Sequence, residues 1–425
     1  PPPPNPSPPA AMLTYESKIS TESIQAATAA VVQATLAASV SSSVAASTAV
    51  APTGLVQMIT VSQVMSSKAT LSTGFKPPMM SGMTTSVPWI QLQSKPPFQK
   101  KPTSRRLLLE AETDPWQQCQ RTLFWTSIVI LPIFTLHFVA TKALQNTRHK
   151  DKLKGLLAFP ALELILLNVL VNPFVKVAAA LIREGTAQSV FAGIGILCLH
   201  PGLFVLFAIW YIHRAIFKEK TVFFLYHPHE PSIWRRFTSN THGVWHPEEE
   251  KQRMGALFDS VHPPAPHLGW RGILRTYYVP WNITKTALLT FLLTVFAYTT
   301  PAGKFAQVIL IVSLQSTHVW LLFSTAPVHK IQAFIPDVFA EILDTSIYVV
   351  SFISLSTIQV YGRNISEKFL STVDSILFAL QSSILGVQIV FQVIGVSLII
   401  LAIVRSKIKA HNNAKIVRRE SFYND

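Results

Sequence analysis

Apolar residues occur in long uninterrupted runs along this chain. The longest run, Ser375–Val404, holds thirty residues without a charged side chain. A bilayer core about 30 Å thick needs roughly 20 apolar helical residues to cross it. Inside lipid the backbone must satisfy its own hydrogen bonds, so this run predicts a membrane-spanning helix. Basic residues follow directly and mark its end as cytoplasmic: Arg405, Lys407, Lys409, Lys415, Arg418 and Arg419.

Similar runs recur upstream, which disfavours the alternative of a buried core helix in a soluble protein. We therefore predict an all-α polytopic membrane protein with about seven transmembrane helices, forming a bundle over residues 119–404. A long cytoplasmic loop, 214–285, and a basic cytoplasmic tail, 405–425, complete this part. The predicted spans are about 122–141, 155–182, 185–213, 286–303, 305–328, 345–362 and 375–404.

Two segments of different composition precede the spans. Residues 1–22 open with a proline-rich stretch. Proline fixes φ at about −65° and lacks a backbone N–H, so an extended polyproline II segment is predicted. It is either a disordered linker or the last repeat of a long rod, and we expect the chain to be a processed product or the tail of a longer polypeptide. Residues 23–118, rich in Ala, Ser, Thr and Val before a Pro- and Lys-containing connector, predict an extracellular or membrane-associated region.

Composition agrees with a membrane protein. The 425 residues are 49% hydrophobic and 13% charged, and the mean hydropathy is +0.35. The net charge of +15 could indicate a nucleic-acid partner, but the basic residues lie mostly beside apolar runs, so we attribute it to membrane topology. Cys119 precedes a span and Cys198 lies inside one, so we predict that they do not pair.

The distribution of Lys and Arg sets the orientation. With the N-terminus extracellular, the loop after the first span and the long loop both become cytoplasmic and carry most of the basic side chains. A basic cluster before the first span, from Lys95 to Arg121, opposes this assignment. Long translocated segments follow the charge rule poorly, so the other loops decide. We expect contact between the cytoplasmic tail and anionic lipids of the inner leaflet.

Motifs for catalysis are missing from the sequence. There is no P-loop, nucleophile elbow, HExxH or dinucleotide fingerprint, so we predict neither an enzyme nor a bound cofactor. His242 and His246 are four apart, which is metal-ligand spacing on a helix. The surrounding sequence is broken by proline and holds no cysteine, so we predict no metal site there.

The second predicted span carries polar residues. Asn168, Asn172 and Lys176 are four apart along one slowly drifting face, whereas Glu163 falls roughly opposite. Ionisable groups inside a membrane are costly and indicate functional or inter-helix roles. We expect the asparagines to pair helices and Lys176 to reach towards the outer interface.

An acidic face lies just before the sixth predicted span. Asp337, Glu341 and Asp344 are spaced four and three apart. Three neighbouring carboxylates suit a hard cation, which makes them a candidate cation-binding site. The alternative is a linker helix whose acidic face pairs with basic residues of the inner loops.

Two kinds of modification are predicted. Asn364 begins an N-glycosylation sequon in an outer loop, whereas the sequon at Asn282 falls on the inner side. Ser421 follows Arg418, Arg419 and Glu420, a spacing that favours phosphorylation by basic-directed kinases.

The order of segments resembles a known family. A proline-rich part and an Ala/Ser/Val/Thr-rich segment precede the spans, and the loop reads HGVWHPEEEKQRMGALFDS and then RGILRTYYVPWNITKTALLTFLL. This is similar to the TRP-like (polycystin-related) membrane domain of green-algal hydroxyproline-rich cell-surface proteins, such as those of flagellar mastigonemes. The resemblance implies a TRP-like bundle in a ciliary or plasma membrane, with filament glycoproteins and a polycystin-type channel as partners. It also implies hydroxylated and glycosylated prolines, here Pro1, Pro2, Pro3, Pro4, Pro6, Pro8 and Pro9.

The expected function is a membrane anchor for a proline-rich extracellular glycoprotein or filament. The alternative is a TRP-like cation channel or channel subunit. No selectivity-filter motif lies between the last spans, and Tyr361–Asp374 is short for a pore loop. A transporter would need internal repeat symmetry, which the sequence does not display.

Overall fold

The structure is a computed structural model that describes residues 114–144, 160–226, 243–296, 300–328, 331–361 and 365–384, with single residues between 63 and 92 and between 386 and 404. The predicted polyproline segment, the proline modification sites, Asn364, Ser421 and the basic tail lie outside the described residues. The last predicted span, 375–404, is described continuously only to residue 384, and that part is helical.

The described chain is mostly helical, with one small sheet. Its longer elements, in chain order, are α1 (Pro115–Ala143), α2 (Ala161–Glu184), α3 (Ala187–Lys218), β1 (Phe223–Tyr226), β2 (Gly243–His246), α4 (Glu248–Met254), α5 (Trp270–Leu274), α6 (Tyr278–Val295), α7 (Pro301–Thr325), α8 (Ile331–Tyr361) and α9 (367–384).

Five of these helices are long and apolar enough to cross a membrane: α1, α2, α3, α7 and most of α8, Phe334–Tyr361. Large apolar side chains such as Leu136 of α1 and Phe191 of α3 are exposed on the helix surfaces, which is the arrangement expected where lipid covers the protein. The prediction of a helical multi-pass membrane protein is confirmed at this level.

Local sequence explains where the helices begin and end. The Asp114 carboxylate accepts a hydrogen bond from the Trp116 backbone N–H at 2.9 Å, and Pro115 occupies the first turn of α1. Before α7, the Thr300 hydroxyl oxygen accepts a hydrogen bond from the Gly303 backbone N–H at 3.3 Å in the same way. Gly185, at φ +79°, ends α2 in the left-handed region that glycine tolerates.

The boundaries of the fourth predicted span need correction. The structure has a helix over Tyr278–Val295 rather than 286–303, and a new helix starts at Pro301. Pro301 lacks the N–H that a continuing helix would donate, and proline is favoured in a first helical turn, so this position suits the start of α7. The early part of α6 was missed because Asn282 and Lys285 lower its hydropathy.

The sixth predicted span, 345–362, begins too late. The helix starts at Ile331, so Asp337, Glu341 and Asp344 lie within one long helix, α8, rather than on a separate linker. Charged residues lower the local hydropathy and hide such a helix from a search for apolar runs. The structure shows why the chain tolerates them there, as described below.

Helices α2 and α3 approach each other closely. Ala178, Ala179 and Ala180 of α2 are buried. A Cβ added at Gly193 of α3 would lie 2.7 Å from the Ala178 carbonyl oxygen, whereas Gly195 has open space around it. Small residues are typical of membrane helix contacts because they let two backbones meet.

The described parts of the predicted long polar loop, 219–226 and 243–277, fold against the bundle. β1 and β2 form an antiparallel hairpin in which Phe224 pairs with Trp245. The Trp245 ring is buried, and its Nε1–H donates to the Val261 carbonyl oxygen at 3.2 Å. Val261 in turn forms a bridge with Val328 at the end of α7. The loop therefore shares one apolar core with the helix ends.

A short piece of the N-terminal region enters the bundle. Its described residues are Gln63, Val64, Ser67, Lys68, Leu71 and Thr73, and all six are buried. Gln63, Val64 and Ser67 are helical, and the Ser67 hydroxyl donates to the Gln63 carbonyl oxygen at 3.1 Å. Val64 and Leu71 belong to the same apolar core as residues of α6, α7, α8 and α9. We call these six residues the inserted segment.

Candidate functional site

Glu341 of α8 is the centre of a buried polar network. Its Oε1 lies 2.7 Å from the Lys285 ammonium of α6. Its Oε2 accepts a hydrogen bond from the Gln315 amide of α7. Lys285 and Gln315 are both buried. The carboxylate thus joins three helices, and its charge is balanced by one lysine.

His318 of α7 completes this network. The Trp281 indole N–H donates to His318 Nδ1 at 2.9 Å, so in neutral His318 the proton is on Nε2. His318 Nε2 lies 3.5 Å from Glu341 Oε1. The Tyr278 ring stacks on the imidazole with ring centroids 6.0 Å apart. The histidine therefore contacts two aromatic side chains of α6, and its Nε2 is near the carboxylate.

Asp344, one turn further along α8, contacts the inserted segment. Its Oδ1 lies 2.5 Å from the Lys68 ammonium. The same ammonium lies 5.5 Å from the centre of the Tyr348 ring, close enough for a cation–π interaction. Lys68 is 1% exposed, so its charge depends on these partners in place of water.

Two of the three predicted cation-binding residues therefore face lysines. Glu341 contacts Lys285 and Asp344 contacts Lys68, while Asp337 precedes Glu341 by one turn. Within the described residues no group of three or more His, Cys, Asp or Glu side chains could hold a metal ion. The geometry is that of two ion pairs whose lysines are buried inside the bundle.

A second polar chain ties the inserted segment to α2. The Asn172 side-chain amide donates to Gln63 Oε1 at 3.1 Å. The Asn172 side-chain oxygen, Oδ1, accepts a hydrogen bond from the Thr290 hydroxyl of α6 at 3.2 Å. The Gln63 amide donates to the Val169 carbonyl oxygen at 3.0 Å. Asn172 thereby connects α2, α6 and the inserted segment.

Glu163 lies on another face of α2, as its spacing predicts. Its Oε1 is 2.5 Å from His137 Nδ1 of α1, and both side chains are buried. Asn168 and Lys176 are partly buried, and no hydrogen bond of their side chains is found within the described ranges. The polar residues of α2 thus face two different neighbours.

Other predicted residues have no part in the network. Asn282 lies inside α6. His246 lies in β2 and stacks on Phe223, while His242 is outside the described residues. Because His246 is in a strand, the helical spacing considered for this pair does not apply to it. Cys119 and Cys198 are both free, as predicted.

Sequence reasoning missed the basic partners. Lys285 was assigned to the end of a loop, and Lys68 to a segment with no expected contacts. Gln315 and His318 are three apart on α7, which places them on one helix face. That spacing, inside an otherwise apolar run, was the available signal for a polar contact.

Comparison with known proteins adds no relative. The chain matches no protein-family model, and no significant match was found among curated proteins or solved structures. The resemblance to the TRP-like domain of hydroxyproline-rich proteins therefore stays a prediction.

Proposed function

We propose that this chain is the multi-pass membrane anchor of a proline-rich extracellular glycoprotein or filament. It would reside in a ciliary or plasma membrane, with its N-terminus outside and its C-terminus in the cytoplasm. The observation that carries the proposal is the inserted segment, because it connects the part of the chain after the prolines with the interior of the helix bundle.

The ties of the inserted segment suit a load-bearing connection. Withdrawing it would separate Lys68 from Asp344 and Gln63 from Asn172. It would also break the hydrogen bond from the Ser354 hydroxyl to the Thr73 carbonyl oxygen, 2.9 Å. Breaking a buried ion pair costs about 3–5 kcal/mol, and each hydrogen bond adds about 1 kcal/mol. A pull on the extracellular part would therefore meet resistance before it reached α1.

The balanced charges also favour an anchor over a conducting pathway. A cation site needs carboxylate oxygens that can exchange water for the ion. Glu341 already contacts Lys285, Gln315 and His318, and Asp344 contacts Lys68. The network links helices, and its lysines would repel an approaching cation.

The alternative function is a TRP-like cation channel or channel subunit. The observation in its favour is the same network, since ionisable groups within membrane helices commonly mark ion pathways. In that case displacement of Lys285 or Lys68 would free a carboxylate for a cation.

The test combines membrane retention with electrical recording of the full chain. Carbonate washing of cell membranes should leave the protein in the membrane fraction, with its N-terminal part open to external protease. Planar-bilayer recording should give no reproducible current from either wild type or Glu341→Gln. A wild-type cation current that Glu341→Gln abolishes would overturn the anchor and establish the channel.

A further inference from the structure

A group of exposed apolar side chains lies where the inner loop meets α7. Leu268, Trp270, Ile273 and Leu274, in and next to α5, expose between 42% and 51% of their surface. Ala265 and Gly272, on the same short stretch, are buried. Large apolar side chains gathered on one side of a folded loop indicate a surface that something apolar covers.

The backbone holds this surface in one orientation. A Cβ at Gly272 would lie 1.9 Å from the Ala265 carbonyl oxygen, so only glycine allows this approach. The Ala265 N–H donates to the Gly272 carbonyl oxygen at 3.2 Å. The Arg275 Nε–H donates to the Pro263 carbonyl oxygen at 2.6 Å. The buried side of α5 is thereby fixed to the loop, and the apolar side is left facing outward.

The surface is continuous with a membrane helix. The Trp270 ring stacks on the Trp320 ring of α7, with centroids 5.9 Å apart. Trp320 and Phe323 are exposed on α7, one of the five candidate membrane helices. Trp320 precedes Thr325, the last residue of α7, by five positions, or about 8 Å of helix rise. That depth matches the headgroup layer, where tryptophan is enriched and amphipathic helices lie.

A basic side chain accompanies the apolar ones. The Arg271 guanidinium lies 5.5 Å from the centre of the Trp270 ring, and Arg271 is exposed. Arginine presents several N–H donors in a fixed fork that fits phosphate oxygens. A cation beside an interfacial tryptophan would meet the phosphates of the lipids into which the apolar side chains dip.

We propose that Leu268, Trp270, Arg271, Ile273 and Leu274 form an interfacial membrane-binding platform whose ligand is the headgroup layer of anionic phospholipids. Helix α5 lies in the plane of the inner leaflet. Its apolar side chains enter the boundary between headgroups and acyl chains, and Arg271 binds lipid phosphate. The platform tethers the inner loop to the membrane beside α7, whichever function the bundle serves.

Depth measurement by spin labelling tests the location. The full chain, with Cys119→Ala and Cys198→Ser, carries a nitroxide at Ile273→Cys and is placed in nanodiscs of phosphatidylcholine and phosphatidylserine. Glu249→Cys, at an exposed position of α4, is the matched aqueous control. The Ile273 label should relax faster with oxygen than with a water-soluble nickel chelate, and the Glu249 label should do the reverse. Equal behaviour of both labels would overturn the proposal, as would an Ile273 label shielded from both reagents by a second copy of the chain.

A titration of phosphatidylserine tests the headgroup contact. The depth of the Ile273 label should increase with the phosphatidylserine fraction. Arg271→Gln should raise the fraction needed for the half-maximal change about fivefold, the effect expected for one basic residue at an anionic surface. Arg253→Gln, at an exposed position of α4 beside Glu250, should leave this fraction unchanged. An Arg271→Gln curve that superimposes on that of the parent protein would overturn the assignment of Arg271 as the headgroup ligand.

Discussion

Removal of Lys285 is the perturbation whose effect the structure defines best. In Lys285→Met the stem of the side chain is kept while the ammonium 2.7 Å from Glu341 Oε1 is lost. Among the described residues, Glu341 then keeps Gln315 and His318 as nearby donors. A buried charge without its counter-ion typically destabilises a protein by about 3–5 kcal/mol. We expect Lys285→Met to lower the free energy of unfolding by about that amount.

The double variant separates the ion pair from simple loss of packing. Replacing both members of a buried pair by apolar residues of similar size is often nearly neutral. Lys285→Met combined with Glu341→Met should therefore be less destabilised than Lys285→Met alone. The measurement is reversible unfolding in mixed detergent micelles, analysed as a double-mutant cycle.

An exposed ion pair supplies the control. Arg214 and Glu219 are 2.6 Å apart, but their side chains are 52% and 39% exposed. Pairs of that kind contribute about 0–1 kcal/mol, so Glu219→Gln should change the free energy of unfolding by less than Lys285→Met does. The reasoning is refuted if Lys285→Met and Glu341→Met each cost less than about 1 kcal/mol and their effects simply add.

Three further predictions follow from other contacts. Gly193→Leu should weaken the contact of α2 with α3 and destabilise the bundle by about 1–3 kcal/mol, whereas Gly195→Leu, with open space around it, should unfold like wild type in the same micelles. Mass spectrometry of glycopeptides should find sugar on Asn364 and none on Asn282, and sugar on Asn282 alone would contradict the orientation. A synthetic peptide of residues 405–425 should bind vesicles more tightly as the phosphatidylserine fraction increases. Phosphorylation of Ser421, which adds about −2 charge, should weaken that binding. Binding that depends on neither lipid charge nor salt would contradict the predicted contact between the tail and anionic lipids.

Apolar runs made the membrane helices predictable, because α1, α2, α3 and α7 each carry few charges along their length. The same criterion failed where charges are paired. The predicted start of α6, residue 286, falls eight residues after the observed start because Lys285 lowers the local hydropathy. The predicted start of the sixth span, residue 345, falls after the observed start at Ile331 because Glu341 and Asp344 interrupt the apolar run. A lysine and a carboxylate that neutralise each other across 56 residues leave no trace in a local window.

The inserted segment was beyond sequence reasoning for a related reason. Gln63, Ser67 and Lys68 are polar, and their composition is typical of a surface or a linker. Gln63 and Lys68 find their buried partners in Asn172, Asp344 and the Tyr348 ring, which lie on helices more than a hundred residues away. The acidic spacing in α8 was visible beforehand, but the choice between a cation and lysines needed the position of Lys68 and Lys285.

The platform around α5 is the opposite case, because its apolar residues are exposed rather than buried. The sequence context of Trp270 does not tell which surface it faces. The stacking on Trp320 and the close approach of Gly272 to Ala265 decide that, and both are contacts between distant or tightly turned parts of the chain.

The most direct measurement of the central claim is to pull the full chain from its N-terminus out of a supported bilayer by force spectroscopy. The account predicts a force peak at the contour length of the inserted segment, before α1 is extracted. Lys68→Ala should lower that peak, because it removes the 2.5 Å contact with Asp344. Arg253→Gln, on exposed α4, should leave it unchanged. Absence of resistance before α1, or identical force curves for wild type and Lys68→Ala, would contradict the anchoring function assigned to the inserted segment.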